Sequence, residues 1–240
     1  MQVTPYKDSD EQKKQQVEQM FDHIAPKYDF LNHFLSLGID RLWRKTAIRI
    51  LSGYKSDYIL DVATGTGDFA IAASKLKPVK IVGYDISAQM LNVGKSKVKR
   101  LGLDQMIEFQ KGDSEAMPFG TEQFDAITVA FGVRNFENLA NGLNEFYRVL
   151  KADGVVIILE FSKPKHFPMK QLYLFYFFKI LPFIGHMVSK DSSAYSYLPE
   201  SVMAFPDDQK FLSILQNAGF LRSKQKRLSF GIATIYIAQK

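Results

Sequence analysis

The sequence ILDVATGTGD, residues 59–68, is an apolar run that ends in an acid, turns through two glycines and enters a segment of helical pattern. This order predicts a strand, a glycine turn and a helix, the first part of a nucleotide-binding βαβ unit. A second apolar run ends at Asp85, 20 residues after Gly65. An acidic side chain at this distance accepts hydrogen bonds from a ribose. The pattern therefore predicts a purine nucleoside ligand.

The charge of the loop distinguishes between two classes of nucleoside ligand. Gly65, Gly67 and Ala70 match the G-x-G-x-x-G/A pattern of dinucleotide sites, and an ordinary tight turn would also use glycines here. Asp61, however, places a carboxylate just before the turn, where it would repel a pyrophosphate and attract a cationic ligand. S-adenosylmethionine has a sulfonium and an ammonium group. Asp61 therefore favours a methyltransferase that uses this cofactor over a nicotinamide-dependent oxidoreductase.

The composition is typical of a globular chain. The 240 residues are enough for one domain with a substantial core, and 46% of them are apolar. The absence of cysteine excludes disulfides, thiolate metal sites and a cysteine nucleophile, and we predict no metal. Residues 1–20 lack an apolar core segment, so we expect no signal peptide and a cytoplasmic location. The net charge of +6 does not by itself indicate a nucleic-acid or membrane partner.

Alternating apolar runs and amphipathic segments predict the order of the secondary structure. The predicted strands are 58–61, 79–84, 106–110, 124–129, 154–160, 221–227 and 232–238, and the predicted helices are 40–51, 69–75, 88–101, 139–150 and 209–218. The last two strands nearly abut, as in a hairpin. We therefore predict a single α/β domain over residues 1–240 with a Rossmann-like methyltransferase fold, a seven-stranded, mostly parallel sheet that ends in an antiparallel hairpin.

Two segments lie outside this alternation. Residues 21–37 mix aromatic and polar side chains, and Pro26 would interrupt a helix there. We interpret residues 1–52 as a helical segment that covers a ligand site as a lid, or that packs on the surface. The insertion 163–206 contains the aromatic stretch 169–188, in which lysines and a proline exclude a transmembrane span. This stretch is predicted to lie at a bilayer interface or over an apolar substrate pocket; burial against the sheet or in a dimer interface is the alternative.

Ligands of doubly wound sheets bind at the carboxyl ends of the strands, where this chain places several polar residues. Asp85 is predicted to bind ribose hydroxyls, and Asp113, with Ser114 beside it, to accept a hydrogen bond from the adenine amino group. After the fourth strand, Arg134 would stabilise a developing phenolate, with Asn135 as a polar partner. The alternative for Arg134 is an ion pair with a neighbouring surface acid, which would contribute little.

Longer motifs resemble one family of enzymes over nearly the whole chain from Phe21. They are residues 28–43 (YDFLNHFLSLGIDRLW), 64–68 (TGTGD), 131–135 (FGVRN), 148–154 (RVLKADG) and 159–164 (LEFSKP). In these motifs the chain is similar to the C-methyltransferases of quinone biosynthesis, the demethylmenaquinone and 2-polyprenyl-benzoquinol methyltransferases. It departs from the usual family residues at Leu31, Asp40, Ala130 and 152–153. Asp40 stands where the family has histidine, which leaves any role of that histidine unfilled.

The resemblance implies methyl transfer from S-adenosylmethionine to a ring carbon of a reduced, prenylated quinol. The naphthoquinol demethylmenaquinol, methylated in the final step of menaquinone biosynthesis, is preferred to a polyprenyl-benzoquinol of ubiquinone biosynthesis. By motif match the cofactor residues are Thr66, Asp85, Asp113 and Ser114, to which the glycine turn adds Asp61, Gly65 and Gly67. The residues assigned to catalysis are Tyr28, Arg134 and Asn135.

In this interpretation Tyr28 and Asn135 orient the quinol, while Arg134 stabilises its oxyanion. The general base is open among Tyr28, Asp29, His33 and His166. Other functions also stay open, namely a methyltransferase for a small phenol or sterol-like acceptor and a cofactor-binding scaffold of a quinone-synthesis complex. The expected partners are a prenylated naphthoquinol and the inner surface of the cell membrane, and a homodimer is left open. No nucleic acid is expected, because no appended basic module is visible.

Overall fold

The sheet of the computed structural model, which describes residues 3–181 and 193–240, has the strand order β3-β2-β1-β4-β5-β7-β6. The strands are β1 Tyr58–Val62, β2 Lys80–Asp85, β3 Ile107–Lys111, β4 Phe124–Ala130, β5 Leu150–Phe161, β6 Lys224–Leu228 and β7 Ala233–Gln239. Strands β1 to β5 run parallel, and β7 lies antiparallel between β5 and β6. The predicted seven-stranded sheet with its terminal hairpin is confirmed.

Helices flank the sheet on both faces. They are α1 Lys13–Leu35, α2 Ile39–Leu51, α3 Asp68–Ala73, α4 Ala88–Arg100, α5 Leu139–Val149, α6 Met169–Phe175, α7 Ser193–Ala204 and α8 Gln209–Asn217. A π-helical turn over Tyr176–Ile180 continues α6, and a 3-10 turn over Val133–Asn135 follows β4. The aromatic stretch predicted over 169–188 is thus helical as far as the description extends, and its part from residue 182 onward lies outside the described residues.

The parallel strands β1, β2, β4 and β5 are largely buried on both faces, so successive residues of one strand belong to different cores. Leu60 of β1 packs in the core that contains Phe146 of α5 and Phe211 of α8. Ile59 faces the opposite way and packs in the core that contains Trp43 of α2. With both faces covered, the ends of the strands are the places where polar side chains gather.

Helix α1 is a single helix of 23 residues, although Pro26 lies within it. The prediction that Pro26 would interrupt a helix is therefore wrong. Proline removes one backbone hydrogen bond, and contacts to the rest of the fold hold the helix on both sides of the loss. Asp22 accepts a hydrogen bond from the Ser87 hydroxyl at 2.5 Å, and Asp29 accepts one from Lys97 Nζ at 2.7 Å.

The first half of α1 lies across the carboxyl ends of the parallel strands. Lys14 pairs with Asp113, which follows β3, at 2.5 Å. Glu18 pairs with Lys111 at the end of β3, at 2.7 Å. Together with the Asp22 contact to the residue that follows β2, these pairs place α1 over the edge of the sheet where a ligand of this fold binds.

The ring of Phe109 on β3 packs against three glycines. A Cβ atom at Gly67, Gly83 or Gly94 would lie 2.7, 2.7 or 2.9 Å from this ring. The glycines belong to the turn after β1, to β2 and to α4. Their missing side chains allow the turn and α4 to approach β3 closely, which brings the turn under α1.

We expect Gly94→Ala to destabilise the fold, although alanine is the better helix former. Overpacking costs about 1–3 kcal/mol, against a gain in helix propensity of about 1 kcal/mol. Urea unfolding measures the difference, with Ser96→Ala on the exposed face of the same helix as the control. Gly94→Ala should lower the free energy of unfolding by less in a Phe109→Leu background than in the wild type. An equal cost in both backgrounds would contradict the contact with the ring.

Candidate active site

Two cavities lie beside the carboxyl ends of the strands. The smaller has a volume of about 670 Å³, including its opening, and is lined by the segments that follow β1, β2, β3 and β4. The larger has about 1460 Å³ and is lined mainly by side chains of α1, α6 and α7. Phe21, Tyr28 and Phe131 line both cavities. A ligand in one cavity would therefore meet a ligand in the other at these three side chains.

Asp61 holds the glycine turn from below. Its fully buried carboxylate accepts hydrogen bonds from Thr64 Oγ1 at 2.5 Å, Thr128 Oγ1 at 2.6 Å and the Ala70 backbone N–H at 3.1 Å. Burial raises the pKa of Asp61 to about 6, and these hydrogen bonds oppose the shift. Asp61 is not among the residues that line the cavity. The structure thus places it beneath the turn, where it shapes the loop, rather than in contact with a cationic ligand.

Gly65 and Asp85 lie in the wall of the smaller cavity, where the sequence predicted them. Gly65 has a φ of +56°, and no atom lies within 4 Å of the position that its Cβ would occupy. Its N–H donates to Asp85 Oδ2 at 2.8 Å, and the Ser87 N–H donates to Oδ1 at 2.9 Å. Burial raises the pKa of Asp85 to about 6. The carboxylate oxygens can still accept hydrogen bonds from ligand hydroxyls, because each has two lone pairs.

Asp113 and Ser114 also line the smaller cavity. Asp113 Oδ1 accepts a hydrogen bond from the Glu115 N–H at 2.9 Å, and Oδ2 accepts one from Lys14 Nζ at 2.5 Å. Lys14 is itself part of the cavity wall. A ligand amino group at Asp113 would therefore share this carboxylate with a lysine from α1, a contact that the sequence did not indicate.

Thr66 and Gly67 do not line the cavity, although the motif placed both among the cofactor residues. Thr66 Oγ1 donates to Asp29 of α1 at 2.5 Å and accepts from Lys97 Nζ at 3.2 Å. Thr66 thus connects the glycine turn to α1, and Gly67 makes room for the Phe109 ring. A motif match gives the position of these residues in the loop but not the direction in which they point.

Arg134 lines the larger cavity and forms a buried ion pair with Glu160, not with a surface acid. Its Nη1 donates to Glu160 Oε1 at 2.9 Å and to the Phe131 carbonyl. Burial raises the pKa of Glu160, and the Arg134 charge opposes the shift. Nε and Nη2 of Arg134 have no hydrogen-bond partner within the described ranges. Sequence reasoning missed Glu160; its place at the carboxyl end of β5 was the available signal.

Asn135 lines the smaller cavity, and Tyr197, which lines the larger cavity, binds its side chain. Tyr197 of α7 donates its hydroxyl hydrogen to Asn135 Oδ1 at 3.2 Å. Beneath the same turn, Lys13 of α1 donates to the carbonyls of Arg134 at 3.1 Å and Phe136 at 2.9 Å. Burial, assisted by the Arg134 charge, lowers the pKa of Lys13 to about 8. Both α1 and α7 thus fix the turn that carries Arg134 and Asn135.

Of the four suggested bases, Tyr28 alone lines these two cavities. Burial raises the pKa of Tyr28 to about 12, so the phenol keeps its proton near neutral pH and acts as a hydrogen-bond donor. Asp29 is engaged by the contacts to the glycine turn, and His33 Nδ1 lies 2.9 Å from the Asp40 carboxylate. His166 is exposed. Among the described residues that line the larger cavity there is no carboxylate and no histidine.

His33, Asp40 and Asp68 bring three potential metal-ligand atoms within 4.8 Å of one another. Arg44 pairs with Asp40, and Lys97 pairs with Asp68 at 2.5 Å. Because Asp40 and Asp68 both already pair with a cation, the cluster is an ion-pair network that joins α1, α2, α3 and α4. Asp40, which departs from the family pattern, is central to this network.

Comparison with known proteins identifies the family. The ubiE/COQ5 methyltransferase family matches residues 8–240. The chain belongs to this family. The demethylmenaquinone methyltransferase of Bacteroides fragilis is 51% identical over 239 residues, which are 99% of this chain and 97% of the relative. The ubiquinone/menaquinone biosynthesis C-methyltransferase UbiE of Geotalea uraniireducens is 48% identical over 231 residues, 95% of this chain and 98% of the relative.

Solved structures support the fold. The [4+2]-cyclase SpnF has a TM-score of 0.70 at 16% identity, covering 95% of this chain and 96% of its own. A SAM-dependent methyltransferase from Aquifex aeolicus has a TM-score of 0.59 at 22% identity, covering 81% of this chain and 88% of its own. With the family membership, the predicted enzyme class and cofactor are confirmed. The protein is an S-adenosylmethionine-dependent C-methyltransferase.

The smaller cavity fits S-adenosylmethionine, which supplies a methyl group on a positively charged sulfur. The Asp85 carboxylate would accept hydrogen bonds from the ribose hydroxyls, and the open space at Gly65 leaves room beside them. Asp113 would accept from the adenine amino group.

We expect cofactor affinity to fall below about pH 6, because the ribose hydroxyls need the ionised form of Asp85, whose pKa burial raises to about 6. Asp85→Asn should weaken binding about tenfold to a hundredfold, since a hydrogen bond to a charged group contributes about 1.5–3 kcal/mol. Calorimetric titration between pH 5 and 8 measures both effects. The affinity of the variant should vary less with pH than that of the wild type. An unchanged dissociation constant in Asp85→Asn would contradict the assignment.

Proposed function

We propose that the protein methylates a ring carbon of demethylmenaquinol, a reduced prenylated naphthoquinol, in the final step of menaquinone biosynthesis. One observation carries the proposal: a large, mostly apolar cavity meets the cofactor cavity at Tyr28 and Phe131, and Arg134 lines it. The names of the relatives from Bacteroides fragilis and Porphyromonas gingivalis, both demethylmenaquinone methyltransferases, support a naphthoquinol. The name of the Geotalea relative makes a polyprenyl-benzoquinol of ubiquinone biosynthesis the second candidate.

Arg134 supplies the charge that the reaction needs at the acceptor. A phenolic hydroxyl has an ordinary pKa of about 10, and a nearby cation lowers it by favouring the phenolate. The phenolate donates electron density to the adjacent ring carbon and makes that carbon nucleophilic. Tyr28, which keeps its proton, donates a hydrogen bond to the same oxygen and holds the ring at the junction of the two cavities. Asn135, from the cofactor side, helps to orient the ring.

In this reaction the acceptor gives up two protons, one from its hydroxyl and one from the methylated ring carbon, and the oxygen later takes one back, so the net release is one proton. As the new carbon–carbon bond forms, the carbon–sulfur bond of the donor breaks and the sulfur becomes neutral. The ring carbon then carries both a hydrogen and the methyl group, and loss of that hydrogen as a proton restores the aromatic ring. The oxygen is then a phenolate again and takes up a proton from water to give the quinol. Because the described lining of the larger cavity offers no carboxylate or imidazole, we assign both protons to water.

Two segments would adapt the single domain to this acceptor. Residues 1–52 act as a lid, because α1 lines both cavities and is held over the sheet edge largely by polar contacts that water can replace. The insertion 163–206 accommodates the prenyl chain, since α6 and α7 supply much of the apolar wall of the larger cavity. Closure of α1 would exclude water from the methyl donor.

The mouth of the larger cavity is the proposed contact with a membrane surface. Leu37 and Leu172 both line the cavity and are 83% and 58% exposed, and Phe175, on the same face of α6 as Leu172, is 60% exposed. Lys170 and Lys179 lie exposed on the same helical segment. An apolar rim with lysines suits an anionic bilayer surface from which a prenylated quinol enters. Among the described residues no helix has the length and apolar character to cross a bilayer.

We expect Leu172→Ser/Phe175→Ser to weaken binding to phosphatidylglycerol vesicles about tenfold or more, since each substitution removes apolar surface worth more than about 1 kcal/mol when buried. Vesicle co-sedimentation measures the change. Leu221→Ser is the control, because Leu221 is 83% exposed and lies beside Gln239, near the amino end of β5. If the double variant instead converts a dimer to a monomer and vesicle binding is unchanged, this face contacts a second copy of the chain and the membrane proposal is wrong.

The acceptor is tested by single-turnover transfer from labelled S-adenosylmethionine to two short-tailed, chemically reduced acceptors, demethylmenaquinol and a demethylated benzoquinol. We expect label in the naphthoquinol product. Label in the benzoquinol alone would contradict the menaquinone assignment, and label in both would establish a dual-pathway enzyme. If neither is methylated while the cofactor binds, the proposed acceptor is wrong.

In the same assay Arg134→Ala should slow methyl transfer about a hundredfold or more, as loss of an oxyanion-stabilising group does in other enzymes. This variant also leaves Glu160 buried without its partner, so Arg134→Ala/Glu160→Gln is the matched control with the residual charge removed. Both variants should be slow if the Arg134 charge acts on the acceptor. Recovery of the wild-type rate in the double variant would show that the charge is dispensable.

A further inference from the structure

Asn32 of α1 is a polar side chain in the wall of the larger cavity, and its amide has no hydrogen-bond partner among the described residues. Its Nδ2 is buried and unpaired, and within residues 3–181 and 193–240 no hydrogen bond reaches its Oδ1. A buried amide that makes no hydrogen bond costs about 1–3 kcal/mol. An unpaired amide in a mostly apolar cavity is the arrangement expected where a ligand supplies the missing partner.

Three other polar side chains of this cavity wall, unlike Asn32, already donate a hydrogen bond to the protein: the Ser36 hydroxyl to Asp40, the Trp43 indole to Ser229 and the Tyr197 hydroxyl to Asn135. The Tyr173 hydroxyl, like the Asn32 amide, is buried and has no partner in the described part of the chain, and its ring packs on Phe177 at 4.2 Å as part of the aromatic wall. With Tyr28 and Arg134 already assigned to the reacting oxygen, Asn32 is left for a different ligand atom.

The helix fixes the place of that atom. Tyr28 and Asn32 are four residues apart on α1, so their side chains lie one above the other on the same face, with Cβ atoms about 5–6 Å apart. Tyr28 lines both cavities, whereas Asn32 lines only the larger one. Asn32 therefore lies one helical turn farther from the cofactor than the group that holds the reacting oxygen.

We propose that Asn32 binds the second oxygen of a 1,4-dihydroxy aromatic acceptor, the one beside the prenyl group. A hydroquinone has its two oxygens on opposite sides of the ring, and a helix face with two polar groups one turn apart complements this pattern. The hydroxyl would donate to the amide oxygen or accept from the amide nitrogen, so either orientation of the amide serves. Asn32 thus selects a hydroquinone over a monohydroxy aromatic. This inference rests on the proposed function and specifies the acceptor further.

The selection follows from the cost of leaving the amide unpaired. A site built to hydrogen-bond a substrate hydroxyl disfavours the analogue that lacks it, because the buried polar group of the site then has no partner. An acceptor with one hydroxyl would still meet Tyr28 and Arg134 but would leave Asn32 unpaired. Asn32 therefore affects the preference for the dihydroxy acceptor over the monohydroxy one. A purely structural asparagine would not change this preference.

The test compares Asn32→Leu with the wild type on two short-tailed acceptors. One is demethylmenaquinol, and the other is the prenylated 1-naphthol that keeps the hydroxyl beside the methylated carbon and lacks the second hydroxyl. We expect kcat/KM for the quinol to fall about tenfold to a hundredfold, and kcat/KM for the naphthol to change less than about threefold. For each enzyme we take the ratio of kcat/KM for the quinol to kcat/KM for the naphthol. Comparing this ratio between the variant and the wild type cancels the intrinsic reactivities of the two rings.

Matched variants separate recognition from folding. Asn32→Gln keeps an amide and should retain the preference for the quinol even if both rates fall. Asn92→Leu, the same substitution at an exposed position of α4, should leave the ratio unchanged. The cofactor dissociation constant of Asn32→Leu should equal that of the wild type, since Asn32 does not line the cofactor cavity.

An equal loss of both activities in Asn32→Leu, or no loss of either, would overturn the proposal. The proposed function fails in a different way, namely when the wild-type enzyme binds the cofactor and methylates neither acceptor. In that case equilibrium binding of the same two ligands in the presence of S-adenosylhomocysteine still tests Asn32. Equal affinities of the wild type for the two ligands would then refute it, and a preference for the quinol that Asn32→Leu abolishes would support it.

Discussion

The active site depends on one buried carboxylate beneath the glycine turn. Asp61 accepts hydrogen bonds from the hydroxyls of Thr64 and Thr128 and from the first turn of α3, so it fixes both the turn and the start of the helix. With the turn held in this way, the Gly65 N–H faces Asp85 and the two sides of the cofactor cavity are joined by a hydrogen bond. An acid at this point contributes through the shape of the loop. Burial of this carboxylate raises its pKa, because it disfavours the ionised form.

Helix α1 forms part of the wall of both adjoining cavities. It lies over the cofactor cavity, supplies Tyr28 to both cavities and is attached to the sheet edge by charged and polar groups along its length. The attachment includes a network in which Lys97 and Arg44 pair with acids of three helices. Because α1 lines both cavities, its position affects the shape of each.

The charge of Arg134 is buried in a mostly apolar setting. Glu160 and the Phe131 carbonyl accept hydrogen bonds from one guanidinium nitrogen, and the other two nitrogens have no partner in the part of the chain that the structure describes. Lys13 and Tyr197 fix the turn from two other helices. In water such a cation would be screened, whereas in the larger cavity it would act at short range on a bound phenolate.

The order of strands and helices, the glycine turn and the positions of Asp85, Asp113 and Ser114 were determined by the sequence alone, because hydrophobic periodicity and turn chemistry act over a few residues. The tertiary structure decided the rest. Contacts between residues far apart in the chain attach Thr66 to Asp29 and Arg134 to Glu160. Contacts of the same kind hold α1 on both sides of Pro26. The unpaired amide of Asn32 likewise becomes visible only when the cavity wall is assembled. No local pattern encodes such contacts, since they arise from how separate elements pack.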